Sequence, residues 1–235
     1  MLRQMDGARE QSIAARLRAP RAAAIAGILF SILLMTSLVL LRRSVPADPL
    51  EAGDWLRTHA GTIALAMHLL PFAGVAFLWF MGVLRDRLGA SEDRFFATVF
   101  LGSGLLFLAL LFVCAGITGG LILAFSADPA RLTGSETFAF GRAIVFEIMN
   151  VYAIKMAAVF MVATSMLSMR TRFIARWIGF LGFGLALVLL VSDRGAERAV
   201  AVFPLWVFVV SVHILVRNLR ASGAPLAGDD AAGSS

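Results

Sequence analysis

The sequence predicts an all-α membrane protein, a bundle of six transmembrane helices with both termini cytoplasmic. Three observations carry this. Of 235 residues, 60% are hydrophobic and only 15% charged, with a mean hydropathy of +0.86, whereas a soluble domain carries about a quarter charged residues. The apolar residues gather in six long runs joined by short connections. Arginine is shared unevenly between alternate connections. Soluble α/β, collagen-like, disordered and disulfide-stapled chains are excluded by the same composition.

Residues 1–20 place Leu2, Met5, Ile13 and Leu17 at roughly helical spacing, with Arg3, Arg9, Arg16 and Arg18 between them. That pattern suits a short helix on an anionic inner leaflet, or else a basic tail that enforces topology. The transmembrane domain, 21–217, follows. Its first run, Ala22–Leu41, precedes Val45-Pro46-Ala47, which mimics a signal cleavage site. The run is too long for a signal peptide and Arg42-Arg43 intervene, so it reads as an uncleaved anchor. The next runs are Gly61–Leu84, Phe95–Phe125, Ala143–Met169, Phe173–Ser192 and Ala199–Val216. Each is near or above the ~20 residues that carry a helix across ~30 Å of hydrocarbon. None alternates with a two-residue period, so a β-barrel is excluded. Pro71 and Pro204 are expected to kink the second and sixth helices or to free a carbonyl there. The tail, residues 218–235, is rich in Gly, Ala, Ser and Asp from Ala221 onward and is expected to be disordered.

Orientation follows from arginine. The amino-terminal segment, the loops after the second and fourth helices and the tail hold 13 arginines, and the other three loops hold 7. The first group sums to +6, while each loop of the second sums to zero. Basic residues collect on the cytoplasmic side, so both termini are expected inside. Twenty arginines against the single Lys155, with abundant Ala, Gly and Leu, point to a GC-rich bacterial genome and hence to the plasma membrane. The net charge of +6 does not point to nucleic acid, because the arginines flank apolar runs.

Small residues indicate close helix packing: Ala23-xxx-Gly27 in the first helix, Gly116-xxx-Gly120 in the third, and Gly179, Gly182 and Gly184 in the fifth. The contacts they predict lie within one chain, with a second copy or with protein partners; membrane lipids are the remaining partner. No internal repeat is evident. Cys114 lies inside an apolar run and reads as a packing residue. One cysteine and three histidines are too few for a dedicated zinc or iron–sulfur site, so no metal or cofactor is expected.

Ionisable groups inside a span cost roughly 2.5–3.5 kcal/mol each on insertion scales and are candidates for function. The fourth helix supplies two. Arg142 and Arg170 bracket it, which puts Lys155 near the midplane and Glu147 about 12 Å nearer the outer face. At 100° per residue, Glu147, Asn150, Lys155, Ser165 and Ser168 fall in a sector of roughly 140°. The candidate intramembrane polar site is therefore Glu147, Asn150 and Lys155, with His68 of the second helix, close before Pro71. It reads either as a cavity with Glu147 as proton or cation site and Lys155 as anion contact, or as a packing network. Under the first reading, Lys155→Met abolishes transport or ligand binding without preventing insertion. A retinal Schiff base on Lys155 is disfavoured without a seventh helix. His68 and His213 differ by about 20 Å in depth and cannot share one haem iron. His59 falls in a loop and carries no signal.

The stretch from Arg85 to Arg94 forms a candidate cytoplasmic loop network of Arg85, Asp86, Arg87, Glu92, Asp93 and Arg94, with Ser91 as N-cap of the third helix. Gly82-x-x-x-Asp86-Arg87-x-Gly89 also resembles the loop between helices two and three of major facilitator transporters. It lacks the basic residues that follow in that motif, having Ala90 and Ser91, and the chain has half the usual helix number.

Leu78-Trp-Phe-Met-Gly-Val-Leu-Arg-Asp-Arg-Leu-Gly89, Glu92-Asp-Arg-Phe-Phe-Ala-Thr-Val-Phe-Leu-Gly102 and Asn150-Val-Tyr-Ala-Ile-Lys-Met-Ala-Ala-Val-Phe160 resemble a family of uncharacterised bacterial six-helix integral membrane proteins. The resemblance implies a six-helix bacterial membrane protein and brings no activity or catalytic residue.

No nucleotide-binding loop, zinc-binding H-E-x-x-H or G-x-S-x-G elbow occurs, and the loops are too short for a soluble catalytic domain. The expected function is a non-catalytic membrane subunit or a lipid- or small-ligand-binding bundle. The alternatives are a small solute or proton-coupled carrier with a midplane site on the fourth helix, and, least favoured, an intramembrane enzyme.

Overall fold

Every element among the described residues is helical. The structure, a computed structural model, describes residues 2–46, 48, 51, 53–88, 94–171, 175–191 and 199–222; for 2–20, 54, 86–88, 94, 170, 171, 199, 221 and 222 it describes the backbone alone. The long elements are α1 (Leu2–Ser44), α2 (Leu56–Leu88), α3 (Arg94–Ala127), α5 (Glu136–Glu147), α6 (Ile154–Thr171), α7 (Arg176–Val191) and α8 (Val202–Ser222). A π-helical segment, Ile148–Ala153, joins α5 to α6, and the four-residue α4 (Pro129–Leu132) precedes α5. Five stretches are long and apolar enough to cross a membrane: 21–44, 56–85, 95–127, 136–169 and 202–220. The expected fifth span, Phe173–Ser192, is represented by the shorter α7, an apolar helix of 16 residues or about 24 Å.

Both ends of α7 are finished by side chains of its neighbours. At its start the Ala175 N–H donates to Nε2 of His213 on α8, 3.3 Å away. At its end the Lys155 ammonium, from α6, donates to the Leu189 carbonyl at 3.1 Å and to that of Leu190. A helix leaves its first N–H and last C=O groups without internal partners, and its carboxyl end is electronegative, so an ammonium there is doubly favoured. His213 therefore holds a structural position. Lys155→Met is expected to lower stability by about 1.5–3 kcal/mol, the range for a hydrogen bond to a charged group. Hydrogen exchange should rise at the α7 carboxyl end and stay unchanged in α2.

The core is aromatic. Phe77 of α2 lies 4.6 Å from the Phe30 ring of α1, 5.2 Å from Phe160 of α6, and 5.8 Å from both Phe107 of α3 and Phe203 of α8. Phe77, Phe30 and Phe160 are fully buried. Five helices thus meet at one ring cluster, with Phe203 in the first turn of α8 closing it. Pro204 sits in that same first turn, where a missing N–H and a fixed φ are harmless. At that position Pro204 requires no kink, because α8 starts at Val202 and Pro204 is its third residue. α2 runs on through Pro71.

Small residues seat the helices only where a neighbour is close. A Cβ on Gly27 would stand 2.0 Å from Ser211 Oγ of α8 and 2.8 Å from the Phe80 ring of α2. One on Gly182 would stand 2.2 Å from Ser165 Oγ and 2.8 Å from Trp206 Nε1. Gly116, Gly120 and Gly184 have open space instead.

Among the described residues, α7 ends and α8 begins short of the side where α1 passes into α2. α3 continues from Phe107 to Ala127, about 30 Å, and the α6–α5 rod runs from Lys155 back to Glu136, about 28 Å. This taller part has its own core of Leu56, Ile63, Phe125, Leu132 and Phe138. It is tied off by Asp128, which N-caps α4, and Ser135, whose hydroxyl accepts from the Phe138 N–H at 3.2 Å at the start of α5. Gly134 turns the chain between them at φ +84°, a conformation glycine adopts without strain. Above the start of α8, α1 packs mainly on α2 and α5 on α3 and the π-helical segment, and a gap lies between the two. That gap is the cleft described next.

Candidate functional site: an apolar cleft beside the π-helical segment

Two cavities fill the gap. One of about 210 Å³ lies between α1, the start of α2, α3 and α5, and is walled by Leu38, Trp55, Ile63, Leu121, Phe138, Arg142 and Met149 among others. The second, about 480 Å³, opens over the turn at Ala199–Ala201 and reaches Met35, Val39 and Arg42. They share Leu38, Leu41, Val45 and Pro46 on one wall and Phe146, Met149 and Asn150 on the other. Together they make one groove, apolar along most of its length.

The second wall is shaped by the π-helical segment. Asn150 donates from Nδ2 to the Phe146 carbonyl at 2.9 Å, and the Ile148 N–H is shared between the Ile144 and Val145 carbonyls. Such single wide turns are frequent at functional sites. One extra residue per turn also rotates everything beyond it by about 100°, so the sector drawn from straight-helix geometry does not hold across residues 148–153. Ser165 and Ser168 are buried against other helices, and Ser168 donates to the Thr164 carbonyl at 2.6 Å.

Arg142 is the buried cation of the site; Arg42, at the wider cavity, is exposed. Arg142 is 9% exposed. Its Nη1 donates to the Glu51 carbonyl at 2.9 Å and its Nη2 to the Pro46 carbonyl at 3.1 Å, pinning the α1–α2 connection over the groove. Its guanidinium lies 5.0 Å from the centre of the Trp55 ring and 5.9 Å from that of Phe138, distances at which an aromatic face attracts a cation. The carboxylates of Glu51 and Asp48 are near enough to act on it electrostatically. These two bonds use two of the five guanidinium N–H donors.

Of the expected intramembrane set, the structure brings only Asn150 to the groove. Lys155 is turned to the carboxyl end of α7. Glu147, the last residue of α5, is half-buried and is not among the lining residues. His68 is on an exposed face of α2, its Nδ1 2.6 Å from the Ala64 carbonyl of its own helix. His59, expected in a loop, belongs to α2, which starts five residues earlier than the apolar run, and its Nδ1 is 3.0 Å from the Trp55 carbonyl. Cys114 is buried, its thiol 3.8 Å from the Val145 carbonyl, in keeping with a packing residue. Of the expected loop network, Arg85 is exposed at the end of α2. Asp86, Arg87 and Arg94 have described backbone only, and Ser91, Glu92 and Asp93 lie outside the described residues. Arg142 was legible in the sequence only as a boundary marker. The signal that could have raised it is its place seven residues after Ser135, a good N-cap, which puts it inside a helix and not in a loop.

In comparisons with known proteins the chain matches no family model, no curated protein and no solved structure. Its five long apolar helices are compatible with a multi-pass membrane protein.

Proposed function

We propose that the chain is a non-catalytic, multi-pass protein of a bacterial plasma membrane that binds a lipid or another small apolar ligand in the cleft between α1 and the π-helical segment. In this reading α7 is the sixth crossing, short but finished at both ends, and the arginine bias puts both termini in the cytoplasm. The cleft then lies toward the outer leaflet. The resemblance to bacterial six-helix proteins agrees with this membrane and helix number.

One observation carries the reading: the two cavities share both walls and make a continuous apolar groove with a few polar groups, Arg142 and Asn150 among them. Small-ligand sites have this character. Native mass spectrometry of the protein released gently from its membrane tests it. Wild type is expected to retain one lipid or isoprenoid per chain, and Leu38→Trp, which fills the groove, to lose it. Retention of the same molecule at the same level by both proteins, or by neither, overturns the reading.

A further inference from the structure

The cleft has a chemical polarity that the reading above leaves unused. Its long wall is mostly aliphatic and aromatic, with Asn150 on it and Arg42 at the wider cavity, and the other end carries a buried guanidinium with donors to spare. Trp55, whose indole N–H has no partner among the described residues, stands at that same end. A cation in apolar surroundings is costly unless its hydrogen-bonding capacity and charge are met. The Pro46 and Glu51 carbonyls meet part of the first. The carboxylates of Glu51 and Asp48 act on the charge through space.

We propose that the cleft takes a long-chain amphiphile with an anionic head, a carboxylate or phosphate, the head held by Arg142 and the tail lying past Met149 toward Met35 and Val200. This rests on the cleft being a ligand site. A guanidinium suits either oxyanion because its planar fork donates two parallel bonds. The Arg142–Asn150 stretch gives the tail about 12 Å of apolar wall before the wider cavity begins. Arg142 is then a binding residue that also fastens the α1–α2 connection, so head-group recognition and closure of the groove share one side chain.

The test offers full-length protein in a neutral detergent equal amounts of oleate and oleyl alcohol, which share a tail and differ in the head, and reads occupancy by native mass spectrometry. Wild type is expected to favour oleate at least tenfold. Arg142→Gln should bind both equally, its retained oleyl alcohol showing that the groove is still formed. If Arg142→Gln binds neither, Arg142→Lys decides: a restored preference for oleate supports the assignment and its absence overturns it. Equal binding of the two probes by wild type, or an undiminished preference in Arg142→Gln, overturns the head-group assignment and leaves the cleft reading standing. Binding of neither probe by wild type removes both. Acetate and inorganic phosphate, which carry the head without a tail, should displace nothing. Displacement of oleate by either one shows that the site reads a soluble anion, and the amphiphile assignment fails.

Discussion

Phe77→Ala is expected to cost about 3–5 kcal/mol, the range for emptying a large aromatic site in a packed core. Phe77 is fully buried, and its ring is within 6 Å of those of Phe30, Phe107, Phe160 and Phe203, which stand on four different helices. Lipid is no less apolar than the bundle interior, so the loss falls on packing and dispersion, not on transfer from water. No single neighbour can collapse into the space without leaving another. Reversible unfolding in mixed micelles should show the midpoint lowered strongly, with α1 and α8 losing protection from hydrogen exchange together. Phe72→Ala, on an exposed face of the same helix, should change stability by less than about 0.5 kcal/mol. Equal losses in the two variants would mean that the ring cluster is not the meeting point of the helices.

Gly27→Leu is the second large effect. The first added carbon already stands 2.0 Å from Ser211 Oγ and 2.8 Å from Phe80, so α1 must back away from both α2 and α8. Overpacking of a tight core typically costs about 1–3 kcal/mol and sometimes more. Here it separates the helix pairs that carry the amino-terminal half, so a value at or beyond the top of that range is expected. Gly116→Leu is the matched control. The same residue type sits in a similar small-xxx-small pattern, but its Cβ meets nothing within 4 Å. Thermal unfolding of the two variants should therefore differ sharply, with Gly116→Leu close to wild type. A Gly27→Leu protein as stable as wild type would contradict the close approach of α1 to α8.

These two sites also show what the sequence could and could not convey. Apolar runs and their arginine borders are local properties, and they located the long helices, although α2 begins five and α5 seven residues before the run read for each. Gly27 and Gly116 look alike in sequence because the pattern records what a helix permits and not what faces it. The aromatic cluster was equally hidden: many phenylalanines are visible, yet which five meet depends on the relative rotation of five helices. Lys155 was conspicuous as a buried charge, but its partners are backbone carbonyls of Leu189 and Leu190, which no residue pattern advertises. The π-helical segment had no signal that straight-helix geometry could use, and it displaced the expected polar stripe. Arg142 escaped notice for the opposite reason. Counted among loop arginines, it supported topology while its role at the cleft depended on carbonyls some ninety residues earlier in the chain.

The most direct test is an experimental structure in lipid nanodiscs, read at the groove bounded by Leu38 and Met149. The account predicts elongated density along that groove, its head against Arg142, with α1 and the π-helical segment held apart. Side chains of α1 packed directly on those of Phe146 and Met149, with no room between them, would contradict it.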